Sequence, residues 1–411
     1  MRLPEVSDVF KRVEVKKSDY VRTMSAYKEE IGPHGVRLPK GAIPDYVKLT
    51  PFQDFSWRVM GRYATEKAAG NQLLVLEAAV SDETGQTVTS YSTLSLHPVP
   101  YTLGLELERH FYAPREEISL AGRLQEEQGI AIPPDLILMA VGAAGALNDI
   151  LRALMNPGEE FVTPAPYFLG YENYAFLADV ALVAAPTDAR FHLDVAAIEK
   201  ALTFKTRVVL INSPNNPSGA VYAAAELKEL GDLLQRASAR FGKRIYLVAD
   251  EPYRRIVYDV AVPSVFAAYP HSIVVNSFSK ELSLAGERIG YLAVHPAAED
   301  AAQILAAAAA INSMSVVNAP GLFQQAAARV LGAAVDVSSY RRRRDLMAAV
   351  LDGAGYRFTL PEGAFYLFPN SPVADDIRFT RLLKEERILV SPGRAFGMPG
   401  WFRISYAVPE T

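Results

Sequence analysis

The sequence predicts an α/β protein with a mainly parallel sheet and helices on both of its faces. Two observations support this prediction. Short β-branched runs alternate with Ala/Leu-rich stretches from about residue 132 onward, and polar residues directly follow several of those runs. Buried parallel strands are near-continuous apolar runs, and the crossover helices between them cover both faces. Ligands bind at the carboxyl ends of such strands, so the polar residues there are the candidate functional residues.

Seven runs have the length and composition of buried strands. Between them, stretches such as AAGALNDILRALM and AAAELKELGDLLQRASARFG place apolar residues three and four positions apart, which is typical of helices. We therefore expect a seven-stranded sheet between helices. The predicted strands span residues 135–141, 160–165, 180–186, 207–214, 244–251, 272–278 and 290–296.

These elements predict a large domain at residues 111–300, followed by a connecting helical region and a smaller α+β domain at 301–411. The helical region runs from residue 296 to about 351, and YRFTLPEGAFYLFP and WFRISYAVP supply the strands of the small domain. Four adjacent arginines at 341–344 point in different directions around a helix, so we expect a solvated or interface face there. Residues 1–110 form a separate N-terminal segment. Within it, residues 71–96 predict a β-hairpin, because SDETGQ favours a turn.

The composition excludes several classes of protein. With 42 Lys and Arg against 46 Asp and Glu the net charge is −4, so no global field attracts nucleic acid or an anionic membrane. Cysteine is absent, which excludes disulfides, thiolate metal sites and a cysteine nucleophile, and we expect no metal site. The charged N-terminus lacks the apolar run of a signal peptide, and the apolar run at 301–317 predicts a buried or interface helix rather than a membrane span. A cytoplasmic protein is expected.

Polar or small residues follow four of the predicted strands directly. Taken singly, each string has an ordinary explanation as a turn, a helix cap or a close-packed junction. Together, in this order on successive strands, they indicate a site for a phosphorylated aldehyde cofactor. The four are residues 215–219 (NNPSG), 250–253 (DEPY), 277–280 (SFSK) with Arg288 further on, and 142–145 (GAAG).

The chemistry of such a cofactor explains these residue types. Lys280 can form a Schiff base with an aldehyde if burial or nearby positive charge lowers its pKa. Asp250 can keep a pyridine nitrogen protonated, which turns the ring into an electron sink. Asn216 and Tyr253 can hydrogen-bond the phenolic oxygen of the ring. A phosphate group is then held by backbone N–H groups at a helix N-terminus, by two hydroxyls and by an arginine. These groups belong to Ala143, Ala144, Ser277, Ser279 and Arg288.

Five strings resemble the fold-type-I, class I and II aminotransferases that use pyridoxal 5′-phosphate (PLP). They are INSPNNPSG, ADEPYRRIVYD, SFSKELSLAGERIGYLAVHP, PEGAFYLFP and WFRISYA, and the similarity covers about residues 134–409 in the order of the family. The resemblance implies a large PLP domain, a small domain built from both chain ends, and a homodimer with active sites at the subunit interface. It also implies an amino acid and a 2-oxo acid as substrates.

The resemblance assigns roles to individual residues. Lys280 corresponds to the lysine that binds PLP and moves the proton between the substrate Cα and C4′ of the cofactor, and Asp250 and Tyr253 share in catalysis. Tyr167, in TPAPYF, corresponds to the aromatic residue that stacks on the cofactor ring. Arg403 corresponds to the arginine that binds the substrate α-carboxylate, with Asn216 beside it, because its planar fork suits a carboxylate.

The N-terminal region departs from the family pattern. The family has a Gly-Pro-containing substrate loop and then a tyrosine near its start, whereas this chain has KLTPFQDFSW, the predicted hairpin and HPVPYTLGLELERHFYAPREE. Tyr101 or Tyr112 is the candidate for that tyrosine. Because this region shapes the substrate pocket, two reactions remain open. The first is transfer of an amino group from an L-amino acid to a 2-oxo acid, and the alternative is a specialised PLP-dependent lyase, decarboxylase or cyclase.

A sensor that binds a ligand without turnover is the rival from outside the enzymes. Its mark would be a basic DNA-reading domain ahead of the aminotransferase-like region. Residues 1–110 carry 14 Lys and Arg and 14 Asp and Glu, so they lack this mark.

Overall fold

The structure, a computed structural model, describes residues 114–408 and nine strands of the preceding part of the chain. The chain divides into two units, residues 1–113 and 114–411. In the first unit Gln72–Ser81 pairs antiparallel with Thr87–Leu96, within the residues where the sequence predicts a hairpin. Tyr101 and Tyr112 lie outside the described residues. The nine strands are β1 (Val15–Ser18), β2 (Val21–Met24), β3 (Val36–Arg37), β4 (Tyr46–Lys48), β5 (Trp57–Met60), β6 (Arg62–Tyr63), β7 (Gln72–Ser81), β8 (Thr87–Leu96) and β9 (Gly104–Leu107).

The second unit contains the predicted seven-stranded sheet, and each of its strands overlaps a run predicted from the sequence. Four of the seven strands are buried along their whole length, which explains why they read as continuous apolar runs. The seven strands are β10 (Ile137–Val141), β11 (Glu160–Ala165), β12 (Ala181–Pro186), β13 (Thr206–Asn212), β14 (Tyr246–Asp250), β15 (Ser272–Ser277) and β16 (Ile289–Val294).

The sheet has the strand order β10-β16-β15-β14-β13-β11-β12. The pairs from β12 to β15 are parallel, whereas β16 runs antiparallel to both of its neighbours. The sheet is thus mainly parallel, as predicted. In consequence the carboxyl ends of β13, β14 and β15 are adjacent at one edge.

Ten α-helices accompany the strands in the described part of the second unit, besides two short 3₁₀-helices at Pro134–Leu136 and Gly393–Phe396. The predicted helical region 296–351 is three helices rather than one, because Pro320 and Gly332 fall in the breaks between them. The ten are α1 (Pro114–Gln128), α2 (Gly142–Leu154), α3 (Tyr171–Ala178), α4 (Val195–Ala201), α5 (Ala224–Phe241), α6 (Phe278–Glu281), α7 (Ala301–Val316), α8 (Gly321–Arg329), α9 (Val337–Gly353) and α10 (Asp376–Glu385).

The apolar helix α7 packs against α2 and buries one face, including Ile304 and Ala308. Within the described residues, no helix is both long and apolar enough to cross a membrane. Arg344 of α9 departs from the expected solvated face. It is buried, donates to the carbonyl oxygen of Pro361 at 3.1 Å, and lies 4.5 Å from the ring centroid of Tyr258.

Two hydrophobic clusters cover the opposite faces of the sheet. Strand β13 shows the alternation, since Val208 and Leu210 belong to the cluster with α2, and Val209 and Ile211 to the cluster with α4 and α5. A small antiparallel sheet follows near the C-terminus, made of β17 (Tyr366–Leu367), β18 (Ser391–Pro392) and β19 (Phe402–Ser405) in the order β17-β19-β18. β17 and β19 are shorter than the sequence strings that predicted them, and no predicted strand covers β18.

Gly231 in α5 offers a test of how closely this helix packs. A β-carbon at residue 231 would collide with the carbonyl oxygen of Ala268, so Gly231→Ala should lower stability by about 1–3 kcal/mol through overpacking. This loss exceeds the gain of about 1 kcal/mol that alanine brings to a helix interior. Melting temperature and denaturant unfolding measure the difference.

The matched control is Gly122→Ala in α1. No described atom lies within 4 Å of the added methyl group, so this change should raise stability instead. Equal effects at both positions would contradict the packing argument.

Candidate active site

The carboxyl ends of β13, β14 and β15 open into one pocket of about 350 Å³. The sequence predicts eleven site residues, and ten of them line this pocket. Their convergence follows from the parallel strands, which bring the residues after each strand to one edge of the sheet. The ten are Ala143, Ala144, Asn216, Asp250, Tyr253, Ser277, Ser279, Lys280, Arg288 and Arg403.

Asp250, the last residue of β14, is the one carboxylate among the described residues of the pocket wall. The Tyr171 hydroxyl donates to its Oδ2 at 2.9 Å, whereas its Oδ1 is buried and accepts no hydrogen bond from the described side chains. Burial raises the pKa of Asp250 from 3.8 to about 7; the hydrogen bond from Tyr171 opposes this rise, and the Glu251 carboxylate adds to it. Oδ1 can therefore accept a hydrogen bond from a protonated ring nitrogen.

Asn216 and Tyr253 occupy the adjoining wall. The backbone N–H of Asn216 donates to Oδ1 of Asn212 at 2.7 Å, and the Asn212 amide donates to the backbone carbonyl of Asp250 at 2.8 Å. The hydroxyls of Tyr253 and Tyr366 are hydrogen-bonded at 2.9 Å. These bonds fix the loop after β13 against β14 and place both predicted phenolate partners in the pocket.

Lys280 enters the pocket from α6, directly after β15. Burial lowers the pKa of its ammonium group, and the positive charges of Arg288 and Arg403 lower it further. A lysine with a lowered pKa has more of its neutral amine available, and the neutral amine is the form that condenses with an aldehyde or accepts a proton.

The opposite end of the pocket suits a phosphate group. Ala143 and Ala144 lie in the first turn of α2, where free backbone N–H groups and the helix dipole favour an anion. Ser277, Ser279 and Arg288 line the same pocket, and Nη1 of Arg288 donates to the carbonyl oxygen of Ala285 at 2.8 Å.

Two glycines allow this end of the pocket to form. Gly142 has φ +66°, and a β-carbon there would lie 2.9 Å from Nη2 of Arg288. A β-carbon at Gly290 would lie 2.8 Å from the backbone nitrogen of Ala143. Larger residues at either position would displace the helix N-terminus or the arginine.

Arg403 of β19 brings to the pocket a positive charge that none of the described carboxylates pairs with. Its Nη1 donates to Oδ1 of Asn216 at 2.9 Å and its Nη2 to Oγ of Ser391 at 3.3 Å. The guanidinium lies 4.5 Å from the ring centroid of Tyr366. Among the residues that the structure describes, no carboxylate pairs with Arg403, and its Nε is buried without a hydrogen bond. The site can therefore accept a carboxylate from a ligand.

Tyr167 does not line the pocket, in contrast to its predicted role as the ring-stacking residue. Its ring packs against Gly397, and its hydroxyl donates to Glu172 at 2.9 Å. The next residue, Phe168, lines the pocket instead, together with Tyr174. A sequence signal for this arrangement is the three-residue spacing of Phe168, Tyr171 and Tyr174, which aligns aromatic rings on one side of a helical turn.

The residues present fit PLP. The buried, unpartnered Oδ1 of Asp250 suits the ring nitrogen, the N-terminus of α2 and Arg288 suit the phosphate, and Lys280 suits the aldehyde. Over the described ranges, no group of three or more metal-ligating side chains is present. The donor set of the pocket therefore matches a phosphorylated aldehyde with a basic ring nitrogen.

Comparison with known proteins agrees with this chemistry. Residues 108–411 match the model of the family described as aminotransferase class I and II. The chain belongs to this family. Members of the family use PLP, and this aminotransferase therefore moves amino groups between amino acids and 2-oxo acids.

Named relatives of this aminotransferase are enzymes of the same reaction. An aspartate aminotransferase of Rhizobium meliloti is 30% identical, with 86% of this chain and 89% of that protein covered. An aspartate/prephenate aminotransferase of Thermus thermophilus is 32% identical over 71% of this chain and 76% of its own length. A bifunctional aminotransferase of Petunia hybrida is 32% identical, and the chain spans 64% of its length. These relatives give no support to a lyase, decarboxylase or cyclase.

Solved structures confirm the fold. An aminotransferase of Eubacterium rectale superposes with a TM-score of 0.70 at 40% identity, covering 72% of this chain and 76% of that one. The aspartate aminotransferase of Thermus thermophilus solved with maleate superposes with a TM-score of 0.63 at 30% identity, covering 72% and 78%. The predicted fold type I is thus correct.

Asp250 should make the stability of the PLP-free aminotransferase depend on pH. Because burial raises its pKa from 3.8 to about 7, the folded chain keeps a proton that the unfolded chain releases. The free energy of unfolding should therefore fall as the pH rises from about 4 to 7, by an amount on the order of a few kcal/mol. Asp250→Asn should flatten this decline, as measured by denaturant unfolding across that pH range.

Some decline should remain in the variant, since burial also raises the pKa of Glu251 to about 7. The control is Asp232→Asn, which removes an exposed carboxylate paired with Lys228 and should leave the slope unchanged. Identical slopes for the wild type and Asp250→Asn would show that Asp250 is not the group responsible.

Proposed function

We propose that this aminotransferase takes the amino group of an acidic L-amino acid, L-aspartate or L-glutamate, and that Arg403 and Lys280 carry the reaction. The decisive observation for the binding of an amino acid is that Arg403, without a carboxylate partner among the described residues, lies in the same pocket as Lys280. A partly buried cation of this kind favours the α-carboxylate that every amino acid carries, so the choice of an acidic side chain depends on the relatives. The names of the Rhizobium and Thermus relatives, and the maleate in one Thermus structure, favour acidic substrates.

The residues that would hold PLP divide by the part of the cofactor that they contact. When bound, PLP supplies an aldehyde that condenses with amino groups and a ring that accepts electrons from the substrate Cα. Asp250 would pair with the ring nitrogen, Asn216 and Tyr253 with the phenolic oxygen, and the side chain of Phe168 would lie against the ring. The phosphate would be bound by Ala143, Ala144, Ser277, Ser279 and Arg288.

Arg403 binds and orients the substrate. Two parallel N–H donors of one guanidinium can grip both oxygens of an α-carboxylate, which fixes the rotation of the amino acid as well as its position. The hydrogen bond from Arg403 to Asn216 keeps this fork beside the loop that would contact the cofactor. The Cα–H bond is thereby directed towards Lys280, and this orientation selects proton removal over other bond cleavages.

Lys280 moves the proton. Burial and the charges of Arg288 and Arg403 lower its pKa, so its amine can take the proton from the substrate Cα and return it to C4′ of the cofactor. Asp250 would support this step, because a carboxylate hydrogen-bonded to the ring nitrogen would keep that nitrogen protonated and the ring electron-poor.

The test is a half-reaction of the PLP-loaded enzyme without any 2-oxo acid. Adding L-aspartate or L-glutamate should replace the long-wavelength absorbance band of bound PLP by the shorter-wavelength band of pyridoxamine phosphate, with one 2-oxo acid released per site. Lys280→Ala should abolish this conversion. Arg403→Lys should raise the amino acid concentration for half-conversion by about tenfold or more, because a point charge replaces a bidentate fork.

The results separate the parts of the proposal. Conversion only by neutral or aromatic amino acids would refute the acidic substrate class. Full turnover by Lys280→Ala would refute the role of that lysine, and an unchanged half-conversion concentration in Arg403→Lys would refute the role of the arginine.

We further propose that the protein is a cytoplasmic homodimer. Cysteine is absent, which is compatible with a reducing compartment, and the end of α7 and the start of α8 expose apolar side chains. Met314 is 90% exposed, Val317 75% and Leu322 51%. Light scattering should give twice the chain mass of 45.0 kDa, and a monomer at micromolar concentration would exclude the dimer.

A further inference from the structure

Two buried acids follow the residues proposed to act in catalysis. Glu251 comes directly after Asp250 and is 1% exposed, and Glu281 comes directly after Lys280 and is 2% exposed. Neither lines the pocket. Buried carboxylates need cationic partners, so the arginine that pairs with each glutamate holds the side chain of that glutamate in place.

Glu281 meets Arg123 of α1. Nη2 of Arg123 lies 2.6 Å from Oε2 of Glu281, and Nε of the same guanidinium lies 2.8 Å from Oε1 of Glu127. The Arg123 guanidinium also lies 5.7 Å from the ring centroid of Phe278, the first residue of α6. One arginine thus contacts both ends of the helical turn that carries Lys280.

Glu251 pairs with a second arginine, Arg254, which also contacts α1 through Glu127. Nη1 of Arg254 lies 2.9 Å from Oε2 of Glu251, and its Nε lies 3.7 Å from Oε2 of Glu127. The Gln128 amide donates to Glu251 at 3.2 Å. Glu127 therefore joins the two arginines, and a continuous chain of charged contacts links the residue after Lys280 to the residue after Asp250.

The helical turn α6 has little support of its own. It spans four residues, and a single turn is far below the length at which helices hold themselves together. Its closing hydrogen bonds are long: 3.3 Å from Leu282 N to Phe278 O and 3.4 Å from Ser283 N to Lys280 O. The orientation of Lys280 therefore depends on tertiary contacts, and the Glu281 carboxylate makes a short one.

We propose that Arg123 is a positioning residue, which sets the geometry of Lys280 relative to Asp250 through Glu281 and Glu127. The inference rests on the roles proposed for Lys280 and Asp250. Arg123 lies outside the pocket wall and acts on the reaction only through these neighbours. A small displacement of a catalytic group lowers the rate without weakening substrate binding, because orientation and affinity are set by different contacts.

The first variant is Arg123→Lys, which keeps the buried positive charge but loses the fork that contacts two carboxylates. We expect the half-conversion concentration for the amino acid to stay within about twofold and kcat to fall by about 10- to 100-fold. Two readouts do not depend on activity. The absorbance band of bound PLP should form more slowly when PLP is added to the PLP-free variant, and visible circular dichroism of the bound cofactor should change.

A second variant separates positioning from support of the fold. Arg123→Met combined with Glu281→Leu removes both charges of this pair, and Glu127 keeps its contact with Arg254 at 3.7 Å. The double variant should therefore melt at a higher temperature than Arg123→Met alone without recovering kcat. Recovery of kcat with melting temperature would show that the pair only supports folding, and would overturn the inference. Wild-type kcat and wild-type rates of PLP binding in Arg123→Lys would overturn it as well.

The control is Lys228→Met, which breaks an exposed pair with Asp232 on α5 and should change none of these readouts. Failure of the proposed function is seen separately. If acidic amino acids do not convert the PLP band of the wild type, or if they convert that of Lys280→Ala, the proposed function is wrong, regardless of the results for the Arg123 variants. If the wild type behaves as proposed and the Arg123 variants match it, only the positioning role is wrong.

Discussion

The parallel register of β13, β14 and β15 is the constraint on which the site depends. In this ladder Asn212 lies opposite Asp250, so β13 and β14 end at one level, and Asp250 lies opposite Val275, so β15 continues two residues further, to Ser277. A strand cannot slide against its neighbours without breaking its hydrogen bonds and turning its buried side chains to the wrong face. The loop with Asn216 and the turn with Lys280 therefore begin next to Asp250. Contacts between sheet, helices and loops then set only the final orientation of each group.

The same arrangement buries charge at a cost to the folded chain. Among the described residues, one carboxylate oxygen of Asp250 has no hydrogen-bond partner and Arg403 has no carboxylate partner, and the pKa of Lys280 is lowered. Each is less stable there than in water, and the apolar clusters on both faces of the sheet offset the cost. A cofactor with a protonated nitrogen would supply the partner of Asp250, and a substrate carboxylate would supply that of Arg403. The groups that lower the stability of the ligand-free protein are thus the ones that give affinity for its ligands.

The sequence predicts what depends on short-range patterns and misses what depends on distant contacts. The seven strands were predictable because each is a continuous apolar run, and ten pocket residues because they lie at strand ends or in motif strings. Two adjacent aromatic residues are a harder case. The three-residue spacing from Phe168 to Tyr174 favours Phe168, but the packing of the Tyr167 ring against Gly397, which is distant in sequence, is not visible in any local pattern. Tyr171 donates to Asp250 across 79 positions and Arg123 pairs with Glu281 across 158, and no periodicity carries information over such separations. The antiparallel direction of β16 likewise depends on how the chain returns to the sheet.

The strings ADE (residues 249–251) and SKE (residues 279–281) arrange their last two side chains in the same way. Asp250 faces the pocket and Glu251 meets Arg254, as expected where consecutive residues of extended chain point to opposite sides. Lys280 and Glu281 divide in the same manner around a helical turn, because residues one apart do not share a face. In each pair the first residue lines the pocket and the second forms an ion pair with an arginine. Because Glu127 contacts both arginines, α1 can fix the distance between the two reactive groups although none of its described side chains lines the pocket.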